Sequence, residues 1–320
     1  MSGVGGAPVG VLVMAYGGPD SLDDIEPYLI DVRGGRAVSP EMVAEMRERY
    51  RIIGGRSPIL ERTQAQSDRV QQALDASHDG PSFRCFVGMR HWTPRIDTAL
   101  SGMSQAGISR AIGVVMAPHY SRMSIGAYFA KVTEAHSPVE VVPIERWHLL
   151  PELIDALADR VVSSLSRFAT DIRNDVQLIF TAHSLPERIL EWDDPYPDEL
   201  QATVAAVVER LRNRADAVTN QFEFAYQSAA MTNEPWLGPD AGEAITRLHN
   251  EGRPGALVVP VGFTTEHVEI LYDIDVEYAR LAESLPFKLE RIPMLNDDPR
   301  TMAGIAGLVR QLARNHDWHE

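Results

Sequence analysis

Short β-branched runs alternate with longer amphipathic stretches along the whole chain, and this rhythm limits the fold more than any other feature. Such alternation is the mark of parallel α/β architecture. Eight runs qualify as strands: residues 10–15, 84–88, 111–117 and 139–144 in the first half, and 176–182, 223–227, 256–261 and 288–293 in the second. Four strands per half predict two similar doubly wound α/β domains, each a four-stranded parallel sheet flanked by helices. A chain of 320 residues is long enough for two hydrophobic cores. The domains are expected at 1–147 and 148–300. The C-terminal helix, within 301–320, is a candidate to pack back on the first domain.

The two halves echo each other. Val13-Met-Ala-Tyr-Gly-Gly-Pro-Asp20 aligns with Phe180-Thr-Ala-His-Ser-Leu-Pro-Glu187: strand, Ala, a polar ring, a small residue, any residue, Pro, then an acid. Val114-Val-Met-Ala-Pro-His-Tyr-Ser121 is a looser counterpart of Val258-Val-Pro-Val-Gly-Phe-Thr-Thr265. Tyr16 and His183 therefore fall at equivalent positions, just beyond the carboxyl ends of the first strands. Open α/β sheets bind ligands at such ends, and a cleft between the domains would see both residues.

Helix signals surround the first of these positions. Ser21 is a candidate N-cap with Asp24 three residues on, a relative of the capping box. Ile25, Tyr28, Leu29 and Val32 follow helical spacing, and Gly34-Gly35 stops the helix. Pro40 opens the next helix, which carries Arg47, Arg49 and Arg51 before Gly54-Gly55. Arg33, Arg49 and Arg56 gather with Ser57 around these two Gly-Gly turns. They are either solvated surface charge or donors for carboxylates on a ligand, since guanidinium pairs with carboxylate bidentately.

In the second half, Glu269, Asp273 and Glu277 recur at i, i+4 and i+8 on a helix that follows the strand at 256–261. Two readings stay open. One is a solvated acidic face near a helix N-terminus, favoured by the macrodipole. The other is a carboxylate ladder for a hydrated divalent cation. His183 shares the alternatives: a hydrogen-bonded turn residue, or a partner of Glu269, since both follow strands whose ends converge on one sheet edge. A His and a carboxylate there can bind metal or move protons.

Other classes find little support. His267-Val-Glu269 is not a zinc motif, because residues two apart on a helix point in different directions. There is no His-Glu-x-x-His, no Cys cluster, no P-loop and no dinucleotide fingerprint. His91 and His119 read as strand-end or loop histidines, and His119 more as an ordinary loop residue than a ligand. The single Cys85 rules out an intrachain disulfide or a cluster held by this chain alone, and is expected as a buried core thiol. A net charge of −15, from 30 basic and 45 acidic residues, argues against nucleic-acid or anionic-membrane partners. The apolar run at 9–15 is too short for a signal or membrane segment. A cytoplasmic monomer without integral membrane association is expected.

Five segments carry a resemblance to a known family: Val11-Leu-Val-Met-Ala-Tyr-Gly-Gly-Pro-Asp20, Arg49-Tyr-Arg-Ile-Ile-Gly-Gly-Arg-Ser-Pro58, Ala182-His-Ser-Leu-Pro186, Asp194-Pro-Tyr-Pro-Asp198, and Gly262-Phe-Thr-Thr-Glu-His-Val-Glu-Ile-Leu-Tyr-Asp-Ile-Asp275. In combination and order they resemble the ferrochelatase family, most closely its bacterial coproporphyrin III branch. The resemblance implies a chelatase-like fold and the insertion of Fe²⁺ into coproporphyrin III, giving coproheme in haem biosynthesis. It implies that His183 and Glu269 are the catalytic pair that also meets the metal, and that Asp273 and Glu277 form an outer acidic metal site. Tyr16 would face the metal from the opposite side, and Arg33, Arg49, Tyr50, Ser57 and Tyr128 would contact the macrocycle or its carboxylates. Ferrous iron and the porphyrin are the implied substrates, with no prosthetic group and no iron–sulfur cluster. Transient contact with neighbouring haem-pathway enzymes is a further expectation.

The implied reaction releases two pyrrole protons as iron enters, so one face must deliver a cation and accept protons. A neutral His183 would do one or both, with Glu269 passing protons outward along Asp273 and Glu277. A cleft favouring a bent macrocycle is expected, since bending exposes the nitrogen lone pairs. The alternatives are protoporphyrin IX as substrate, another tetrapyrrole chelatase, or a non-catalytic haem or metal carrier.

Overall fold

The computed structural model of the chain describes residues 7–77, 80–214, 218–230 and 234–318. All eight expected strands form, within a residue or two of the expected limits at most ends. They are β1 (Val9–Ala15), β2 (Phe83–Met89), β3 (Arg110–Val115), β4 (Glu140–Ile144), β5 (Gln177–His183), β6 (Phe222–Gln227), β7 (Gly255–Pro260) and β8 (Lys288–Arg291). They make two parallel four-stranded sheets, ordered β2-β1-β3-β4 and β6-β5-β7-β8. The two orders are the same when the second is read four strands on, so β1 corresponds to β5 and β3 to β7. That is the correspondence the paired motifs called for.

The chain divides into two compact units. The first comprises Met1–Ala117, Met123–Trp147 and Asn296–Glu320, and the second Pro118–Arg122 and His148–Leu295. In the first unit β1 lies between β2 and β3, and all seven of its residues are buried. Each fully buried Val, Leu or Met contributes about 1.5–3 kcal/mol, so the strand that leads to Tyr16 is among the most strongly held. The helix Ile59–Asp75 covers β1 and β2 and packs on the C-terminal helix Pro299–Asn315. Its buried positions Ile59, Thr63, Gln66, Ser67, Val70 and Leu74 follow one helical stripe. Gln66 donates to the Asn296 carbonyl at 3.1 Å, and the Arg310 guanidinium binds the Leu74 carbonyl near that helix's carboxyl end, where a cation is favoured.

The second unit repeats the plan with β5 between β6 and β7. Helices Pro151–Leu165 and Tyr196–Arg212 pack together beside this sheet. Two buried carboxylates at the start of the latter helix meet backbone and hydroxyl donors. Asp194 accepts from Ser121 Oγ, the Arg122 N–H and the Tyr196 N–H, and Glu199 accepts from the Tyr120 N–H. Such donors stand in for the water that a buried carboxylate loses.

Three local expectations need correction. Cys85 is only partly buried, because it sits on β2, an edge strand whose outer side has no strand partner; burial still pushes its thiol up to about 12. Ser21 does not cap a helix through its side chain. Its hydroxyl donates to Asp24 at 2.7 Å across a 3₁₀ turn, Leu22–Asp24, and the α-helix begins at Ile25. The segment carrying the acidic ladder, Glu269–Tyr278, is a π-helix and not an α-helix.

Candidate active site

The second sheet brings His183 and Glu269 together. His183 is the last residue of β5, and β7 lies directly beside it in register, with Thr181 opposite Pro260. Past β7 the chain stays against β5: the Gly262 N–H donates to the Thr181 carbonyl at 3.1 Å. A β-carbon at position 262 would lie 2.4 Å from that of Ala182, so only glycine allows this approach. The chain then turns through His267 into the π-helix, which starts at Glu269.

Glu269 is shared by two imidazoles. Its Oε1 lies 3.3 Å from His183 Nε2, and its Oε2 lies 3.2 Å from His267 Nε2. His267 is anchored at its other nitrogen by the Thr265 carbonyl, 3.0 Å away. The sequence argument that separated His267 from Glu269 fails because His267 lies in the turn ahead of the helix, where helical spacing does not apply. His183 Nδ1 donates to the Ser184 carbonyl, and the Tyr196 hydroxyl donates to the His183 carbonyl at 2.9 Å.

Both ring nitrogens of His183 thus face acceptors, which requires a proton on each. Burial alone would pull its pKa down. The Glu269 charge and hydrogen bond, the Ser184 carbonyl and the Asp273 charge outweigh burial and raise it to about 9. Burial likewise opposes the Glu269 charge, but His183 first and His267 second hold that carboxyl well below its usual range. The resting pair is imidazolium and carboxylate. The expectation of a neutral His183 is corrected accordingly.

The helix that carries the acidic ladder is wound more widely than an α-helix. An α-helix takes about 3.6 residues per turn, so positions four apart drift by about 40° at each step. A helix closed by i→i+5 bonds takes more residues per turn, and the Ala279 N–H indeed reaches the Ile274 carbonyl five residues back. Two period-four stripes run along it. Ile270, Ile274 and Tyr278 face the core of the second unit, and Glu269, Asp273 and Glu277 each lie one residue ahead of them. Asp273 is buried and accepts from the Ser228 hydroxyl, whereas Glu277 is exposed. Gln227, at the end of β6, donates to the Glu269 carbonyl at 2.9 Å.

In the first unit Tyr16 stands just past β1 and is 37% exposed. One flank of its ring meets His91, 4.6 Å between centroids, and the Arg90 guanidinium lies 5.8 Å from it. Arg90 also lies 5.4 Å from the Tyr128 ring. His91 Nδ1 is 2.9 Å from Asp31, whose other oxygen takes Arg95 at 2.8 Å. Burial, together with the Arg90 and Lys131 charges, lowers the His91 pKa against the raising pull of Asp31. Sequence reasoning singled out none of Asp31, Arg90 and Arg95; the one signal available was that Arg90 and His91 end a strand of the same sheet as Tyr16.

The other expected contacts are more dispersed. Ser57 is pressed on Gly18, where a β-carbon would come within 2.4 Å of its hydroxyl, and that hydroxyl accepts from the Ile59 N–H. Arg33 Nη1 lies 3.9 Å from the Met42 sulfur. Arg49 is paired with Glu45 at 3.0 Å, and Arg56 with Glu61 at 3.3 Å. Tyr50 and Tyr128 are buried, 1% and 4% exposed, so each offers a ligand little ring surface. His119 is an interior residue bonded to Thr203 at 2.8 Å. Among the described residues no three His, Cys, Asp or Glu side chains form a group ready to hold a metal, and no helix is long and apolar enough to cross a membrane.

Comparison with known proteins identifies the fold and the family. The fold is that of chelatases. The structure of SirB from Bacillus subtilis with Fe³⁺ matches with a TM-score of 0.55 at 10% identity, over 98% of this chain and 99% of that one. The cobalt complex of the sirohydrochlorin chelatase SirB from Bacillus subtilis subspecies spizizenii matches with a TM-score of 0.51 at 12% identity, over 97% of each chain. A family model described as Ferrochelatase matches residues 8–313. A ferrochelatase of Herpetosiphon aurantiacus is 41% identical over 297 residues, 92% of this chain and 95% of the relative. A coproporphyrin III ferrochelatase of Listeria monocytogenes serotype 4b is 39% identical over 305 residues, 94% of this chain and 97% of the relative. The chain belongs to the ferrochelatase family.

Proposed function

We propose that this protein inserts Fe²⁺ into coproporphyrin III, releasing two protons and forming coproheme. The observation that carries the reading is the carboxylate of Glu269 held between His183 and His267 at the carboxyl edge of the second sheet. An anion at such an edge attracts Fe²⁺, and a histidine becomes a metal ligand only when it gives up its proton. Fe²⁺ arriving at the pair displaces the proton that His183 shares with Glu269. Once iron passes to the ring nitrogens, the emptied pair takes up one pyrrole proton and is restored, and the other pyrrole proton leaves with the one that iron displaced, two protons in all. Asp273, buried, and Glu277, exposed, offer carboxylates for proton exit and for the entry of the next cation.

Support for coproporphyrin over protoporphyrin IX comes from Met14-Ala-Tyr-Gly17 and from relatives such as the Listeria protein that carry the coproporphyrin name. The same reading makes Tyr16 the axial neighbour of the iron and gives Arg33, Arg49, Tyr50, Ser57 and Tyr128 to the macrocycle and its carboxylates. It has the enzyme act as a cytoplasmic monomer, with no resident prosthetic group or iron–sulfur cluster, and meet other haem-pathway enzymes only transiently. The deciding experiment is anaerobic Fe²⁺ insertion with coproporphyrin III and protoporphyrin IX compared in matched detergent. Faster insertion into coproporphyrin III is expected. Equal or faster insertion into protoporphyrin IX would reject the branch, and no insertion into either would reject the reaction.

A further inference from the structure

A cavity of about 870 Å³ opens in the first unit beside the end of β2, its wall including Ile30, Asp31, Arg90, Trp92, Arg95 and Lys131. That volume lies in the range of small-molecule sites, and its place at the carboxyl end of a parallel strand is where such sheets take ligands. Three cations line it, and they differ. Arg95 is bound to Asp31 at 2.8 Å and Lys131 to Glu134 at 2.8 Å. Among the described residues no carboxylate pairs with Arg90. Its contacts are the Tyr16 ring at 5.8 Å, the Tyr128 ring at 5.4 Å and a long bond from Nη1 to the Met123 carbonyl at 3.4 Å.

Aromatic rings hold a guanidinium through its charge and its flat faces, while its N–H groups point outward in the plane. Arg90 is therefore positioned ahead of binding, with donor groups not committed to an acid of its own chain, in a protein whose net charge is −15. A cation left without a counter-charge in so acidic a chain calls for an anionic partner. Apolar Ile30 and Trp92 in the same wall suit a ligand with a hydrophobic body. We propose that Arg90 binds a carboxylate of the porphyrin, with the guanidinium edge forming a bidentate pair with one propionate at this cavity. The inference rests on the reading of the protein as a porphyrin chelatase and adds a binding residue to it.

The test uses the full chain and two probes, coproporphyrin III and its tetramethyl ester, titrated by fluorescence in one detergent. Arg90→Met keeps an apolar stem against the tyrosines and removes the charge. It should weaken binding of the free acid about tenfold or more, the scale of one charge-assisted hydrogen bond, and leave the ester unchanged. Arg90→Lys, with charge but no fork, should fall between. If Arg90→Met does not fold, Arg90→Gln removes the charge while keeping an N–H for the Met123 carbonyl. Unchanged binding of the free acid by a folded variant would overturn the proposal. So would equal losses for acid and ester, which would make Arg90 a prop for the tyrosines. A wild type that binds neither probe overturns the chelatase reading and this inference together. A wild type that metallates porphyrin while Arg90→Met binds normally overturns this inference alone.

Discussion

His183 Nε2 and Glu269 Oε1 lie 3.3 Å apart, His183 at the end of β5 and Glu269 at the start of the helix that follows the neighbouring β7. Neither is held by this contact alone. The imidazole is pinned at its far nitrogen by the Ser184 carbonyl, and the carboxylate is pinned by His267. A pair fixed at both ends can lose and regain a proton without losing its geometry, as metal delivery coupled to proton uptake demands.

Replacing His183 by Ala is expected to lower kcat for Fe²⁺ insertion at least 100-fold, within the range typical of a lost general acid–base group. Porphyrin binding should persist, because His267 still partners Glu269 and the strand ends at the same place. Single-turnover insertion and a fluorescence titration on the same preparation check it. Near-normal turnover by the folded variant would remove His183 from the chemistry.

The pair also sets a pH dependence. The folded His183 pKa is raised from 6.5 to about 9, so its contribution to stability is complete below about 6.5 and is lost as pH rises through 9. The folded Glu269 value is depressed below 4.5, so its contribution is present above 4.5 and is lost as pH falls. Stability from the pair is therefore greatest between about 4.5 and 6.5. Fe²⁺ affinity runs the other way on the alkaline side, rising with pH up to about 9 because the metal must displace the His183 proton. Thermal melts and anaerobic metal titrations of wild type and His183→Ala, across pH 6.5 to 9, should show both slopes in wild type only.

Gly262→Ala and Gly307→Ala should have opposite signs. A methyl at 262 meets Ala182 Cβ at 2.4 Å, within one residue of His183, and overpacking of this kind costs about 1–3 kcal/mol. Insertion should fall along with stability. A methyl at 307, within the helix Pro299–Asn315, meets nothing within 4 Å and should stabilise by about 0.5–1 kcal/mol without touching activity. Denaturant melts and turnover of the two variants decide the matter.

Asp273→Asn combined with Glu277→Gln should slow insertion most at low Fe²⁺ and least at saturation. Asn at 273 can still accept from the Ser228 hydroxyl, so the local fold is kept while the charge is removed. A loss that is the same at every Fe²⁺ concentration would mean that these carboxylates do not gather metal.

What could be read from the chain was what depends on local pattern. Apolar runs such as 10–15 and 176–182 are strands wherever they are covered on both faces, so the two sheets and the strand-end positions of Tyr16 and His183 followed from order alone. The period-four recurrence of Glu269, Asp273 and Glu277 is visible too, though the pattern alone does not separate a π-helix from an α-helix. Tertiary packing decided the rest. His267 meets Glu269 because the chain turns before the helix starts, and the helix itself winds as a π-helix. His183 carries a second proton because the helix after the neighbouring strand delivers a carboxylate and the next peptide delivers a carbonyl. Tyr50 went into the core, Cys85 onto an edge strand, and Arg90 between Tyr16 and Tyr128, both far from it in sequence. Each of these outcomes joins groups distant in sequence or depends on a local backbone turn, and a periodic pattern records neither.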